Sequence, residues 1–440
     1  MSTPDHDLTP QELERSLRCS YLHGLLGTIF AASVGGMFLT GFALKLGASN
    51  LQIGVLAAIP SALAGSQLWS AYVLERNGQR KRLCLRSAAL GVSVWAFAAA
   101  IPYLLPAHPQ WLRLYALFAV VAVAAVASMV VVNAWTSWIA DLVPAHRYGR
   151  FFAMRGVFAG PAAMAFAMLE GVFLDWAKTL QAFCLVFLVG VAAGWASILV
   201  LRRQADVPMH RRQDENGQHM GMLALLREAL RHPRLRAITL FVLAWRCAWM
   251  ISAPFYMVFM LKSLHMKFLW VGGLTTAYSV VAVLSNAFWG ALADRTGGKR
   301  MLVATTIISV LVTLPWLVVT RGNFWWLLPL LYACGAFLDT GWGLGLTTLL
   351  LGSIPKEGRS TYLALYGTIT GSLGAVAPVV GGAVATLVQA SRVQVLWLDT
   401  LQVIFAISLA LAALCLPLLR TLGDPRKPEW DGQAAATGTR

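Results

Sequence analysis

The chain has 440 residues, a charged fraction of 12%, an apolar fraction of 58% and a mean hydropathy of +0.66. That is too little charge to cover a soluble protein of this length, given that soluble domains carry about 25% charged residues. It is also too much apolar content for a disordered chain. The formal charge of +16 would suggest nucleic acid in a soluble protein, but in a membrane protein basic residues gather on cytoplasmic loops and no nucleic acid is implied.

In chain order, the first segment, 1–19, is polar and carries Asp5, Asp7, Glu12 and Glu14. It lacks the basic start and small-residue cleavage site of a signal peptide, so the first apolar run is expected to remain as a spanning helix. About 20 apolar residues cross a bilayer. Twelve such runs follow, near 20–44, 51–73, 84–105, 112–140, 152–174, 181–201, 237–261, 270–293, 301–319, 325–351, 361–388 and 395–419. They are continuous rather than alternating, which predicts an all-α polytopic membrane protein and not a barrel. The expected organisation is a six-helix bundle over 20–201, a basic linker over 202–236, a second six-helix bundle over 237–419 and a polar tail over 420–440. Within the linker, Leu223 to Leu230 reads as a short amphipathic helix that lies on anionic headgroups.

With the N-terminus in the cytoplasm, 27 Lys and Arg fall on the cytoplasmic side and 7 on the other, with Arg246 left inside a span. This asymmetry predicts a cytoplasmic (plasma) membrane protein with both termini inside. The six cysteines form no CxxC pair. They read as small buried hydrophobes rather than zinc ligands, so no metal is expected. No GxxxxGK[ST] loop is present, and no cofactor is expected.

The two halves repeat. Ala71-Tyr-Val-Leu-Glu75-Arg76-Asn-Gly78-Gln-Arg80-Lys81 aligns with Gly290-Ala-Leu-Ala-Asp294-Arg295-Thr-Gly297-Gly-Lys299-Arg300 at an offset of 219 residues. Asp141-Leu-Val-Pro144-Ala-His-Arg147 aligns with Ile354-Pro355-Lys-Glu-Gly-Arg359 at 211. Gly156-x-x-x-Gly160-Pro161 aligns with Ala377-Pro378-Val-Val-Gly381-Gly382 at 217. Such parallel repeats accompany carriers that alternate their access from side to side.

On these motifs the sequence resembles the major facilitator superfamily over nearly the whole chain. Gly290-x-Leu-Ala-Asp294-Arg295-x-Gly297-x-Lys299-Arg300 is similar to that family's signature loop, and the first copy departs from it at Ala71 and Glu75. The resemblance implies that Glu75 and Asp294 help to latch the cytoplasmic side, with Arg147 and Arg359 as ion-pair partners. It also implies a central cavity lined by spans 1, 4, 7 and 10. Gly156-x-x-x-Gly160-Pro161 is similar to part of an antiporter motif, but Met164 and Ala165 stand where a glycine pair belongs. Gly156 and Gly160 are also expected to let two helices approach closely, beside Pro161 and its counterpart Pro378.

An ionisable residue deep in a span reads as functional. Arg246 lies about 14 Å from the cytoplasmic end of span 7, and Asp339 about 18 Å from that of span 10. Each has a tryptophan three residues on, Trp249 and Trp342, and Tyr256 continues the face of Trp249. An arginine fork, a carboxylate and aromatic walls suit an organic solute with a charged group and an apolar or ring portion. The competing expectation is an Arg246–Asp339 ion pair that neutralises both. Asp339 is the stronger proton-coupling candidate, provided that Arg246 is not beside it. Glu170, about 27 Å into span 5, falls near the outer interface beside Asp175. Asn133 either faces the cavity or bonds a neighbouring helix. Trp135 and Trp138 fall near the cytoplasmic interface, where tryptophan collects.

The expectation is therefore a monomeric secondary transporter of a small organic solute, coupled to an ion, with Asp339 as the candidate for proton coupling. A sensor that binds solute without moving it is the alternative. An enzyme is not expected, because no nucleophile or acid–base constellation stands in a cavity span.

Overall fold

The computed structural model describes residues 9–77, 79–143, 147–207, 233–353, 359–391 and 398–423. Among these there is no strand. The α-helices are α1 (Pro10–Val34), α2 (Gly36–Lys45), α3 (Asn50–Ala62), α4 (Ser66–Asn77), α5 (Arg80–Leu104), α6 (Gln110–Leu142), α7 (Tyr148–Ala177), α8 (Leu180–Arg202), α9 (Pro233–Val258), α10 (Phe268–Thr296), α11 (Gly298–Thr313), α12 (Phe324–Ser353), α13 (Arg359–Gly374), α14 (Val376–Ser391) and α15 (Thr400–Leu414). Eleven described helical segments are long and apolar enough to cross a bilayer. The twelfth expected span is the shorter segment Asn50–Gly65, which α4 prolongs. The expected amphipathic helix at 223–230 lies outside the described residues.

Local chemistry explains where the helices start and break. Thr9 and Glu12 form a capping box that starts α1 within the segment expected to be a polar lead-in. The first span is not one helix. Gly35 is extended and Gly36 has φ +49°, so the chain breaks between α1 and α2. A 3₁₀ turn over Leu63–Gly65 likewise separates α3 from α4.

The described residues form two compact units. The first takes in Met1–Gln218, Ala253–Gly273 and Pro378–Ala390. In it α1 packs on α7 and α8, and α5 on α6 and α8. Its core is aromatic: Phe42 meets Phe187 edge-on at 5.0 Å, and Trp95 meets Phe187 at 5.6 Å. A close helix crossing lies between α3 and α14. A Cβ at Gly54 would clash with the Pro378 carbonyl oxygen, and one at Gly382 would stand 2.7 Å from the Asn50 oxygen.

The second unit takes in His219–Ser252, Leu274–Ala377 and Ser391–Arg440. Its core gathers Phe241, Trp245, Leu302 and Leu349. Here α11 crosses α12 at Gly298 and Gly345, where an added Cβ would meet backbone atoms at 2.6–3.0 Å. The Ser408 hydroxyl donates to the Ala248 carbonyl (2.6 Å) and accepts from Ser252 (2.9 Å), tying α15 to α9.

Candidate functional site

In the second unit, α9 turns Arg246 and Trp249 out of an apolar helix one turn apart. Trp245, which is 5% exposed, links the aromatic groups. Its ring lies 6.4 Å from Trp249 and stacks on Trp342 of α12 at 6.5 Å and 21°. Tyr366 of α13 packs on the same cluster, close enough to Arg246 to feel its charge. The Arg246 guanidinium is half-buried and has no hydrogen-bond or ion-pair partner among the described residues.

Asp339 is engaged elsewhere. It accepts a 2.6 Å hydrogen bond from the Tyr278 hydroxyl of α10, and Tyr278 meets Tyr332 edge-on at 6.3 Å. No Arg246–Asp339 pair forms, so in this structure the two charges do not neutralise each other. Tyr256 is half-buried and belongs to the part of α9 that falls in the first unit.

In the first unit, Glu170 is 7% exposed. It sits between α7 and α1, where the Ser33 hydroxyl donates to Oε1 at 2.5 Å. Oε2 has no partner among the described residues. Its side chain is thus buried within the helix packing of this unit. Asn133 donates to the Gln67 carbonyl at 2.8 Å, bonding a neighbouring segment.

Arg155 is a functional candidate that the sequence reading missed. It stands near the start of the apolar run 152–174, where the neighbouring Arg147 and Arg150 make it look like a loop charge. Its guanidinium carbon lies 4.2 Å from the centre of the Trp135 ring. Nη1 is 3.4 Å from both the carbonyl and the hydroxyl of Ser20. Gly24 of α1 leaves the groove that the side chain fills, since a Cβ there would come within 2.8–3.1 Å of it. His23 stands beside this pair: its ring is 6.4 Å from Trp135, and Nδ1 is 2.6 Å from the Ser197 hydroxyl. The structure shows no carboxylate paired with Arg155 among the described residues.

The repeated loops are only partly described. Gly78 and the side chains of Glu75, Arg76, Asp294 and Arg359 lie outside the described residues. Arg147 Nη1 stands 3.5 Å from Glu14 Oε1, with both side chains about half exposed. Arg295 is exposed. Gly297 has φ +83° and ψ 156°, a conformation open essentially to glycine alone. A Cβ at Gly290 would meet nothing within 4 Å.

Arg80, noticed in sequence only as part of a basic pair, is 2% exposed. It donates to Asp141 Oδ2 at 2.5 Å, the Ser137 carbonyl at 2.7 Å and the Val207 carbonyl at 3.0 Å. Lys81 donates to the Gln204 carbonyl at 2.6 Å.

A Cβ at Gly156 or at Gly160 meets nothing within 4 Å among the described residues. Pro161 stands inside α7, whereas the Pro378 carbonyl does sit at a close crossing, against Gly54.

Apolar helices of spanning length define a multi-pass helical membrane protein. The family model described as "Major Facilitator Superfamily" matches residues 24–274 and 246–439, and the chain belongs to that superfamily. A curated relative, an "MFS-type transporter" of Aspergillus terreus, is 32% identical over 129 residues. That match covers 28% of this chain and only 22% of the relative.

Solved structures share the fold. A variant of the nucleoside transporter NupG superposes with a TM-score of 0.74 at 12% identity, covering 93% of this chain and 100% of the other. A bacterial homologue of the human lysosomal transporter Spinster gives 0.66 at 14%, covering 96% and 100%. A bacterial homologue of the iron transporter ferroportin gives 0.65 at 13%, covering 96% and 100%.

Proposed function

We propose that the protein is a secondary transporter that moves a small organic solute across the cytoplasmic membrane by alternating access. The solute carries an acidic group and an apolar or ring portion. The observation that supports this is an arginine in each unit, on a spanning helix and without a carboxylate partner among the described residues. Arg155 lies over Trp135, and Arg246 stands on the helix of Trp245 and Trp249. A cation left unpaired in a span is costly unless a ligand completes it. The guanidinium offers a planar fork to an acidic group, and the indoles offer a face to a ring.

The names of the superposed structures mention nucleosides and iron, so the fold alone does not select a solute; the acidic-solute reading rests on the two arginines. Proton coupling is assigned to Glu170 and Asp339. Each is a carboxylate with a hydroxyl partner and no ion-pair partner among the described residues. Both termini are assigned to the cytoplasm, and the working unit is taken as a monomer.

Purified protein is screened by thermal shift against organic acids, and hits are then followed as flux into liposomes with an imposed pH gradient. Stabilisation by a hit should be lost in Arg246→Ala and Arg155→Ala, and flux driven by the pH gradient should be lost in Glu170→Gln or Asp339→Asn. Stabilisation that survives both arginine changes would overturn the site assignment. Flux unaffected by a proton ionophore would overturn the coupling. Binding without any flux would replace the transporter by a sensor.

A further inference from the structure

The positive-inside asymmetry leaves seven basic residues for the side opposite the linker. Four of them, Lys45, Lys178, Lys262 and Lys267, line a single cavity of about 570 Å³ in the first unit. They come from three separate stretches of the chain, Lys262 and Lys267 being five residues apart. Lys45 ends α2, Lys178 follows α7, Lys262 stands in the π-helical turn Phe259–Ser263 that follows α9, and Lys267 precedes α10. Folding therefore concentrates at one place the charge that topology makes scarce on that side.

The cavity does not neutralise this charge itself. Asp175 is the carboxylate in its lining, and it is already used. Oδ1 accepts from the Phe268 amide at 2.8 Å and Oδ2 from the Leu269 amide at 2.9 Å, capping α10. Lys45 donates to the Lys178 carbonyl at 3.3 Å. The side chains of Lys178, Lys262 and Lys267 have no hydrogen-bond or ion-pair partner among the described residues. Four lysines against one aspartate leave a net charge of +3 among the residues that line the cavity.

The backbone around the cavity is unusual as well. Lys178 (φ +53°) and His265 (φ +57°) are the two non-glycine residues with left-handed backbone among the described residues, and both line this cavity. Such conformations, and π-helical turns, gather where local geometry serves a ligand.

We propose that this cavity binds the phosphate group of an organic phosphate. Lysines are point charges on flexible stems and lack the planar fork that selects carboxylates, so a compact multiply charged oxyanion suits them. A net charge of +3 calls for more than one negative charge in return. Leu44, Phe183 and Phe268 supply apolar lining for the remainder of the ligand. The phosphate can come from the headgroup of an anionic phospholipid or from a soluble phosphate ester. The lining of the cavity shares no residue with the tryptophan clusters, and the site does not depend on which solute they hold.

The test uses the full chain in two arms. In the first, protein in nanodiscs of zwitterionic phosphatidylcholine is titrated with inorganic phosphate and with glycerol phosphate. In the second, protein from bilayers containing phosphatidylglycerol is analysed by native mass spectrometry for retained lipid. The double variant Lys262→Gln/Lys267→Gln should bind the successful probe at least tenfold more weakly, and Lys262→Arg/Lys267→Arg should retain it. If the glutamine variant does not elute as a folded monodisperse protein, Lys178→Gln alone serves as the reading.

Binding in the first arm identifies a soluble ligand, and binding in the second alone identifies a lipid headgroup; either supports the site. Wild-type protein that binds no phosphate probe in either arm would overturn it. So would a folded glutamine variant that binds as well as wild type. Because Arg155 and Arg246 remain intact in these variants, failure here is distinct from failure of the transport reading.

Discussion

At the scale of single residues, a guanidinium laid on an indole keeps its charge without a carboxylate, and this distinguishes Arg155 from the ordinary basic residues of the loops. A cation–π contact contributes about 0.5–2 kcal/mol depending on solvent access. A double-mutant cycle on Arg155→Ala and Trp135→Leu should therefore show a coupling of about 1 kcal/mol in denaturant unfolding, and additive effects would mean that the stack holds nothing. Arg80 tests the opposite case, a buried charge that is fully engaged. Arg80→Ala strands a carboxylate that is only 30% exposed. Breaking such a pair costs about 3 kcal/mol, and Asp141→Asn should cost less because the amide still accepts a hydrogen bond. A thermal midpoint unchanged in Arg80→Ala would refute this. These residues also mark what the sequence could show of the site. Arg246, Asp339 and Glu170 were legible because a charge within an apolar run is rare. Arg155 and Arg80 were not, because they lie near span ends among many basic residues. Their meaning comes from Trp135 and Asp141, and no local pattern connects them to those partners.

At the scale of elements, glycine divides into positions that the packing requires and positions that it leaves open. Gly298 stands where an added methyl would meet the Leu349 nitrogen at 2.6 Å and the Gly345 oxygen at 2.7 Å. Backbone cannot swing aside as a side chain can, so Gly298→Ala should destabilise by about 1–3 kcal/mol. Gly297→Ala should cost about as much through its dihedral angles alone. Gly156→Ala and Gly160→Ala meet open space and should be neutral, or stabilise by about 0.5–1 kcal/mol through helix propensity. Thermal unfolding of the four variants checks this ordering, and a loss at Gly156 or Gly160 equal to that at Gly298 would contradict it. The spans themselves were legible, because continuous apolar runs of bilayer length have one economical solution. The interruptions were less so. The break at Gly35–Gly36 and the 3₁₀ turn at Leu63–Gly65 lie inside runs whose hydropathy does not change. The close crossing at Gly54 with Pro378 and Gly382 carries no motif comparable to Gly156-x-x-x-Gly160 around Gly54.

At the scale of the whole molecule, the surplus of positive charge is a statement about orientation. Each Lys or Arg near an anionic cytoplasmic leaflet gains about 1 kcal/mol, and the proposed topology puts 27 basic residues on that side against 7 on the other. The inverted molecule would exchange those numbers, so the preference is far larger than any single residue could reverse. The residues that carry this map are the ones to probe. In a background without the six native cysteines, single cysteines at Lys178 and Lys267, both exposed, should react in intact cells with a maleimide that cannot cross the membrane. Cysteines at Arg147 and Arg420, also exposed, should react only after permeabilisation. Labelling of Arg147 from outside would invert the topology and turn the phosphate cavity toward the cytoplasm. Its lysines would then be a minority among basic residues on that face, and their convergence would lose the scarcity that makes it informative.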